Sequence, residues 1–227
     1  MNHPFNIKYT KRKNSIALKI ANNQVTVLAP IGTTYFTIND LLNKKAKWIQ
    51  NKIVTTKNQE LKRNELYLFG QKQLINFYPA KQNYFSLTPD QQLEFYYNKQ
   101  LSSLEIKFLF SKWQQNFAHK YILARTTELI KLTKLSPCKI ILKQTTSQWG
   151  SCSATKNISL CMNLLYTKKT VLDYVIIHEL CHLKEMNHSK NFWQLVEKFC
   201  PNYKTEVEWL KKHNFLIEYD KELAFSL

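Results

Sequence analysis

The most constraining feature of the sequence is a cluster of three histidines within eleven residues, in the stretch Asp173–Ser189. His178, Glu179 and His182 form the pattern H-E-x-x-H. Residues four apart on a helix lie on one face, so His178 and His182 can bind one metal ion together if this stretch is helical. Five apolar residues can bury the rest of the helix: Val175, Ile176, Ile177, Leu180 and Leu183. The sequence therefore predicts a buried helix that carries metal ligands.

The alternative to a metal site is a core helix whose two histidines form hydrogen bonds within the protein and bind no metal. For a chain of this composition, one random H-E-x-x-H has a probability of about 0.008, and a further histidine ten residues after the first lowers it to roughly 0.0002. Buried imidazole and carboxylate groups are also costly without partners, and a metal ion supplies one. We therefore expect a metal site.

A third ligand is needed, because catalytic zinc sites use three protein ligands and a water. His188 is the first candidate, but on a continuous helix it would point about 240° away from His182. The chain must therefore turn, and we expect Asn187 to make the turn in the left-handed conformation. Ser189 is expected to cap the next helix, over 190–199. Three later carboxylates are rival ligands: Glu197, Glu206 and Glu208.

Two acidic residues near the histidines have different expected roles. Glu179 is too close to His178 along the helix to bind the same ion, but it can reach a metal-bound water and remove its proton. Glu185 follows His178 by seven residues and stays on the metal-facing stripe, where it is expected to orient a ligand. Three residues are candidate donors to developing oxyanion charge: Tyr166, Tyr174 and His213.

The charge balance is strongly basic, with 33 Lys+Arg against 16 Asp+Glu and a formal net charge of +17. All but three of the basic residues are lysine, which acts as a point charge and reads bases less well than arginine. The excess fits weak, salt-sensitive association with nucleic acid or another polyanion, or simply a solvated surface. The chain has 3 glycines, too few for either glycine-rich phosphate-binding fingerprint.

The five cysteines are odd in number and form no C-x-x-C pair. No apolar run follows the basic residues near the start, and no stretch approaches 18 apolar residues. These features predict a cytoplasmic chain with free thiols, without a signal peptide or a membrane span.

The hydrophobic pattern changes character along the chain. Alternation predicts strands in three stretches: 5–30, with a turn at Asn22-Asn23, then 65–78 and 83–97. Helical spacing predicts helices over 38–55, with Thr37 as its cap, and over 101–135, with an allowed break. Short strands are expected at 139–142 and 158–162. We therefore expect an α+β chain with a β-rich domain, 1–99, and a mainly helical domain with a small sheet, 100–227.

Several short motifs carry a family resemblance: Trp149–Ser153 (WGSCS), Ile158–Leu160, Leu172–Val175, His178–His182 (HELCH), Asn187–Ser189 (NHS), Phe192-Trp193, and at the front Val27–Pro30, Lys47–Ile49 and Leu68–Gly70. With them the chain resembles the YgjP-like metallopeptidase family. The resemblance implies a zincin-like, metal-dependent hydrolase domain in residues 100–227, which acts on peptide or protein substrates. It also implies that His178, His182 and His188 bind Zn²⁺ and that Glu179 is the catalytic base.

The WGSCS loop comprises Trp149, Gly150, Ser151, Cys152 and Ser153. Gly150 permits a sharp turn or a close backbone approach, and the neighbouring strand can pair with an extended substrate. We therefore expect the loop to line the cleft. The alternative is a structural loop packed under the metal helix, with Cys152 as a small buried hydrophobe.

The first functional hypothesis is a zinc metallopeptidase. The alternatives are a metal-dependent nucleotide (UTP-type) pyrophosphatase, a polyanion-binding module with structural zinc, and a DNA-associated protease. A structural zinc site prefers four protein ligands, and the sequence offers three good ones.

Overall fold

The computed structural model describes residues 5–12, 15–21, 24–50, 64–98, 101–221 and 225. The chain divides into two compact units, Met1–Glu60 and Leu61–Leu227. The predicted boundary between the domains 1–99 and 100–227 falls inside the second unit. The division of the chain into these two domains stays a prediction.

The first unit contains a three-stranded sheet and a helix. Its strands are β1 (Phe5–Thr10), β2 (Ala17–Ala21) and β3 (Gln24–Pro30), in the order β1-β3-β2, with β1 parallel and β2 antiparallel to β3. The predicted turn at Asn22-Asn23 lies outside the described residues. A small core joins Val27 and Ala29 of β3 to Ile38 of the helix.

Helix α1 (Tyr35–Lys44) begins earlier than predicted. Thr34, not Thr37, is the N-cap: it is extended, and its side-chain oxygen accepts a hydrogen bond from the backbone N–H of Thr37 at 3.3 Å. The prediction failed because both threonines fit the local pattern. The predicted helix over 38–55 is also interrupted, because α1 ends at Lys44 with Lys45 as its C-cap, and helical residues resume at 46–50. Residues 51–55 lie outside the described residues.

The second unit opens with five short strands, as the alternation predicted. Strands β4 (Glu65–Leu68) and β5 (Gln71–Leu74) form a hairpin. Strands β6 (Asn76–Pro79), β7 (Tyr84–Leu87) and β8 (Leu93–Tyr97) form a sheet of order β6-β8-β7. The buried apolar side chains of these strands belong to the same core as those of the helices that follow.

Helix α2 (Ser103–Thr133) is continuous over 31 residues, without the allowed break. Ser102 and Glu105 form a capping box at its start, and Lys134 ends it in the left-handed conformation. Buried side chains recur every third or fourth residue from Ile106 to Thr133, so one face of the helix packs against the core throughout its length.

The remaining elements and their connections include the three histidines. Strands β9 (Lys139–Lys143), β10 (Gly150–Cys152) and β11 (Asn157–Cys161) form a sheet of order β10-β11-β9, with β10 antiparallel and β9 parallel to β11. The chain continues through these elements: a 3₁₀ segment Met162–Tyr166, α3 (Lys169–Cys181), α4 (Lys190–Phe199), α5 (Tyr203–Lys212) and a 3₁₀ segment Asn214–Lys221. The predicted α+β class is confirmed.

Within the part of the chain that the structure describes, no helix combines the length and the apolar character needed to cross a membrane. The five cysteines are free thiols, as predicted.

Candidate metal centre

Helix α3 carries the H-E-x-x-H residues through the core. Val171, Leu172, Ile176 and Leu180 are buried with almost no exposed surface, which holds the helix in the apolar interior as the sequence predicted. Glu179 and His182 are buried too, at 6% and 8% exposure. The functional side chains therefore stand on a rigid, buried element.

Thr170, with Asp173 three residues on, has the sequence pattern of a capping box and predicts a helix start at Thr170, but the structure does not form this cap. The helix begins one residue before Thr170, and its N-cap is Lys168, without a side-chain capping bond. Asp173 instead accepts two hydrogen bonds from Arg125 of α2, at 2.6 and 2.8 Å. This charged partner lies 48 residues away in sequence, so the local pattern gave no sign of it.

The three histidines converge through their Nε2 atoms. The Nε2 atom of His178 lies 3.2 Å from that of His182 and 3.0 Å from that of His188. Two nitrogens bound at about 2.05 Å to a tetrahedral zinc ion would lie about 3.3 Å apart. The cluster therefore has the donor chemistry and the spacing of a three-histidine metal site.

Two further contacts fix the outer nitrogens of the imidazoles. The Nδ1 atom of His182 lies 3.0 Å from the backbone carbonyl oxygen of Glu185. A carbonyl only accepts, so Nδ1 carries the hydrogen and Nε2 keeps its lone pair for a metal. The Nδ1 atom of His178 lies 3.4 Å from the hydroxyl of Tyr174, which can orient that ring in the same way. Glu185 thus contacts a candidate ligand through its backbone, and the role of its side chain stays a prediction.

The turn that brings His188 back to the cluster does not use a left-handed Asn187. Asn187 is not among the residues with positive φ. The chain instead tightens after α3, where the N–H groups of Leu183 and Lys184 bond to carbonyls three residues back. Ser189 then caps α4 by accepting from the N–H of Phe192, and α4 spans the predicted residues, Lys190–Phe199.

Aromatic rings of α4 pack against the cluster. Phe192 stacks on His182 with ring centroids 4.4 Å apart, and Trp193 stacks on His188 at 5.6 Å. Sequence reasoning assigned no role to either ring, although both follow directly after the helix cap. The two rings therefore pack against the imidazoles of two candidate ligands.

Burial and mutual repulsion favour the neutral forms of His178 and His182 in the metal-free chain. Burial, and then the neighbouring His182 and His188, lower the pKa of His178 to about 3. Burial also lowers the pKa of His182. Neutral imidazole is the form that binds a metal, so the site is ready to bind one at neutral pH.

Glu179 and part of the WGSCS loop line one cavity of about 160 Å³. Trp149, Gly150, Tyr174 and His178 line this cavity together with it. Burial raises the pKa of Glu179 to about 8. A carboxyl group with a pKa near neutrality can both take up and release a proton.

The other loop residues have local roles. The side chain of Ser153 accepts from the N–H of Asn157 and bonds to Thr155, which holds the turn between β10 and β11. The Cys152 thiol points to the carbonyl of Ser153, and burial raises its pKa. The buried indole N–H of Trp149 has no hydrogen-bond partner among the described residues. Trp149 and Gly150 therefore lie at the cavity, and Ser153 supports the loop.

The histidines are the one cluster of potential metal ligands among the described residues, and the rival carboxylates Glu197, Glu206 and Glu208 do not belong to it. Glu208 is paired with Lys211 instead, at 2.8 Å. Of the oxyanion candidates, Tyr174 lies beside His178, whereas Tyr166 packs against Tyr219 and His213 against Trp209.

One family model matches most of the chain. The model of the YgjP-like metallopeptidase domain matches residues 14–213. Among solved structures, the metallopeptidase zymogen of Pyrococcus abyssi abylysin is 22% identical, with a TM-score of 0.36, over 40% of this chain and 93% of that one. The zymogen of Methanocaldococcus jannaschii jannalysin is 21% identical, with a TM-score of 0.34, over 39% and 94%. No curated protein sequence matches the chain.

Proposed function

Because the chain belongs to the YgjP-like metallopeptidase family, we propose that it is a zinc-dependent peptidase in which the three clustered histidines hold the ion and Glu179 is the general base. The observation that carries the proposal is the convergence of three imidazole side chains next to a buried carboxyl group. Three protein ligands favour a catalytic over a structural zinc site, because they leave a fourth position for water or substrate.

The residues around the ion divide the chemistry between them. A bound zinc ion supplies Lewis acidity toward water and toward the scissile carbonyl. Glu179 takes a proton from the attacking water and delivers it to the departing amine nitrogen. Tyr174 and the Glu185 carbonyl orient His178 and His182 through their Nδ1 atoms. The cavity shared with Trp149 and Gly150 receives the substrate next to the base.

The geometry of β10 supports an extended peptide as the substrate. The carbonyl of Trp149 accepts from Cys161 at 2.8 Å, and the N–H of Ser153 donates to Asn157 at 2.9 Å. In an antiparallel pair, residues that bond to the partner strand alternate with residues that point away from it. Gly150 and Cys152 therefore direct their backbone N–H and C=O groups away from β11, where an extended chain can add as a further strand.

One experiment tests the proposed peptidase activity together with the alternative functions that the sequence left open. The purified protein is analysed for bound metal and then assayed on a peptide library and on nucleoside triphosphates, with and without DNA. We expect about one zinc ion per chain and peptide cleavage that Glu179→Gln abolishes while zinc remains bound. Triphosphate cleavage without peptide cleavage would show a pyrophosphatase instead. Zinc without any hydrolysis would show a structural site, and activity only with DNA would show a DNA-associated protease.

A further inference from the structure

Gly150 lies where the edge strand β10 meets the metal-binding helix, directly beside the side chain of Glu179. A Cβ atom at this position would lie 2.6 Å from Oε1, 2.7 Å from Cγ and 2.9 Å from Cδ of Glu179. Real Cβ atoms essentially never come within 3.0 Å of a non-bonded heavy atom from another part of the chain. The space that any other residue needs at position 150 is therefore already filled by the carboxylate side chain.

The requirement for glycine here concerns space and not backbone conformation. Gly32 and Gly70 have positive φ, whereas Gly150 does not. A Cβ at Gly32 would meet nothing within 4 Å, and one at Gly70 would meet Lys168. Of the chain's three glycines, Gly150 is thus the one that a side chain of the candidate active site presses against.

Glu179 can give way to an added methyl group only by moving its carboxylate within the cavity that it lines, or by displacing β10. Its side chain is 6% exposed, and it projects from a helix whose apolar faces are packed in the core. An added methyl must therefore either turn the carboxylate out of its place in the cavity or push β10 away from the helix. Both movements change the position of the base relative to His178 and to the outward-facing edge of β10.

We propose that Gly150 is a positioning residue that sets where the Glu179 carboxylate stands between the metal ligands and the substrate edge of β10. The inference rests on the proposed function in one respect, namely that Glu179 is the general base. Gly150 contributes no reacting atom, and it acts through the close approach that its missing side chain allows.

The kinetic test is Gly150→Ala, compared with the parent at equal zinc content. We expect kcat to fall about 100-fold, the loss typical of a base displaced by about 1 Å, with KM changed only a few-fold and one zinc ion still bound. Gly32→Ala is the control for a general loss of stability, because its positive φ strains an added methyl group that meets no other atom within 4 Å, and its kcat should equal that of the parent.

A double-mutant cycle measured by thermal denaturation, called the thermal cycle below, gives a second readout that does not depend on activity. In the metal-free protein, Gly150→Ala should lower the Tm by about 5 °C, as overpacking does. In a Glu179→Ala background the same change should cost little, because the space is then free. This background also serves if Gly150→Ala alone fails to fold.

The outcomes separate the two proposals. An unchanged kcat in Gly150→Ala, or an equal loss of Tm in both backgrounds, would overturn the role of Gly150. A parent protein that binds zinc but cleaves no peptide would overturn the proposed function, and the thermal cycle alone would then decide whether Gly150 positions Glu179.

Discussion

Arg125 and Asp173 join α2, the longest helix among the described residues, to the helix of the H-E-x-x-H motif, through two parallel hydrogen bonds of 2.6 and 2.8 Å. The two side chains are only 23% and 20% exposed, and Arg125 also contacts Glu128. A bidentate pair of this kind fixes orientation as well as distance. It therefore ties the position of α3 to α2.

Replacing Arg125 by alanine should lower the free energy of unfolding by about 1–3 kcal/mol, because Asp173 then loses its charged partner in a partly buried place. Arg125→Lys should recover only part of this loss, since lysine cannot form the parallel pair. Urea denaturation measures both. Lys211→Ala, which removes the exposed pair with Glu208, should change stability by less than about 0.5 kcal/mol. Equal effects of the Arg125 and Lys211 variants would contradict the prediction.

Tyr174→Phe should weaken zinc binding about tenfold, because the hydroxyl that orients the outer nitrogen of His178 is lost. Competition with a chelator of known affinity measures the change. Tyr203→Phe is the control, since Tyr203 belongs to the same aromatic cluster and stacks on Trp193. An equal loss in both variants would attribute the effect to general packing.

His188→Ala should reduce zinc affinity by at least about 100-fold, because only two protein ligands remain. Glu197→Gln removes a rival carboxylate on the neighbouring helix and should leave affinity unchanged. Metal content after dialysis and chelator competition report on both variants. Retention of zinc by His188→Ala, with its loss in a variant of Glu197, Glu206 or Glu208, would identify a carboxylate as the third ligand.

The stability of the metal-free protein should depend on pH through Glu179. Its folded-state pKa of about 8 lies above the ordinary value of 4.5. The folded chain therefore holds this proton longer than the unfolded chain, and the parent loses stability as pH rises from about 4.5 to 8. Glu179→Gln cannot lose this proton. The free energy of unfolding of the variant should therefore rise relative to that of the parent as pH increases over this range, by a few kcal/mol at most.

The lowered pKa of His178 acts in the opposite direction, destabilising the folded chain as pH falls below 6.5. This effect of His178 is present in both the parent and Glu179→Gln, so it cancels in the difference between their free energies of unfolding. Denaturation in the presence of a chelator, at several pH values, measures this difference. A constant gap between the two proteins from pH 5 to 9 would show that the buried carboxyl does not titrate as described.

The sequence could predict those parts of the site that local geometry determines. The spacing of His178 and His182 requires one helical face, and the hydroxyl of Ser189 followed by a helical pattern marks a helix start. Both predictions are confirmed. The return of the chain to His188 was also expected. The predicted left-handed conformation of Asn187 was wrong, because successive backbone hydrogen bonds to carbonyls three residues back tighten the chain there without any left-handed residue.

Long-range contacts could not be predicted in the same way. Asp173 looked like part of a helix cap, but its partner is an arginine on another helix. The contact between Gly150 and Glu179 joins residues 29 positions apart and leaves no periodic pattern in the sequence. The contact of Glu185 is made by its carbonyl, which every residue type carries. Assigning these roles required the folded chain.

His188 differs from the other two candidate ligands in lying on the exposed connection between α3 and α4. An ion shared with His178 would close that connection into a ring of eleven residues and remove much of its conformational freedom. Metal loading would thus also protect this segment from digestion. Loss of the ion would therefore make the segment between α3 and α4 easier to cut than it is in the metal-loaded protein.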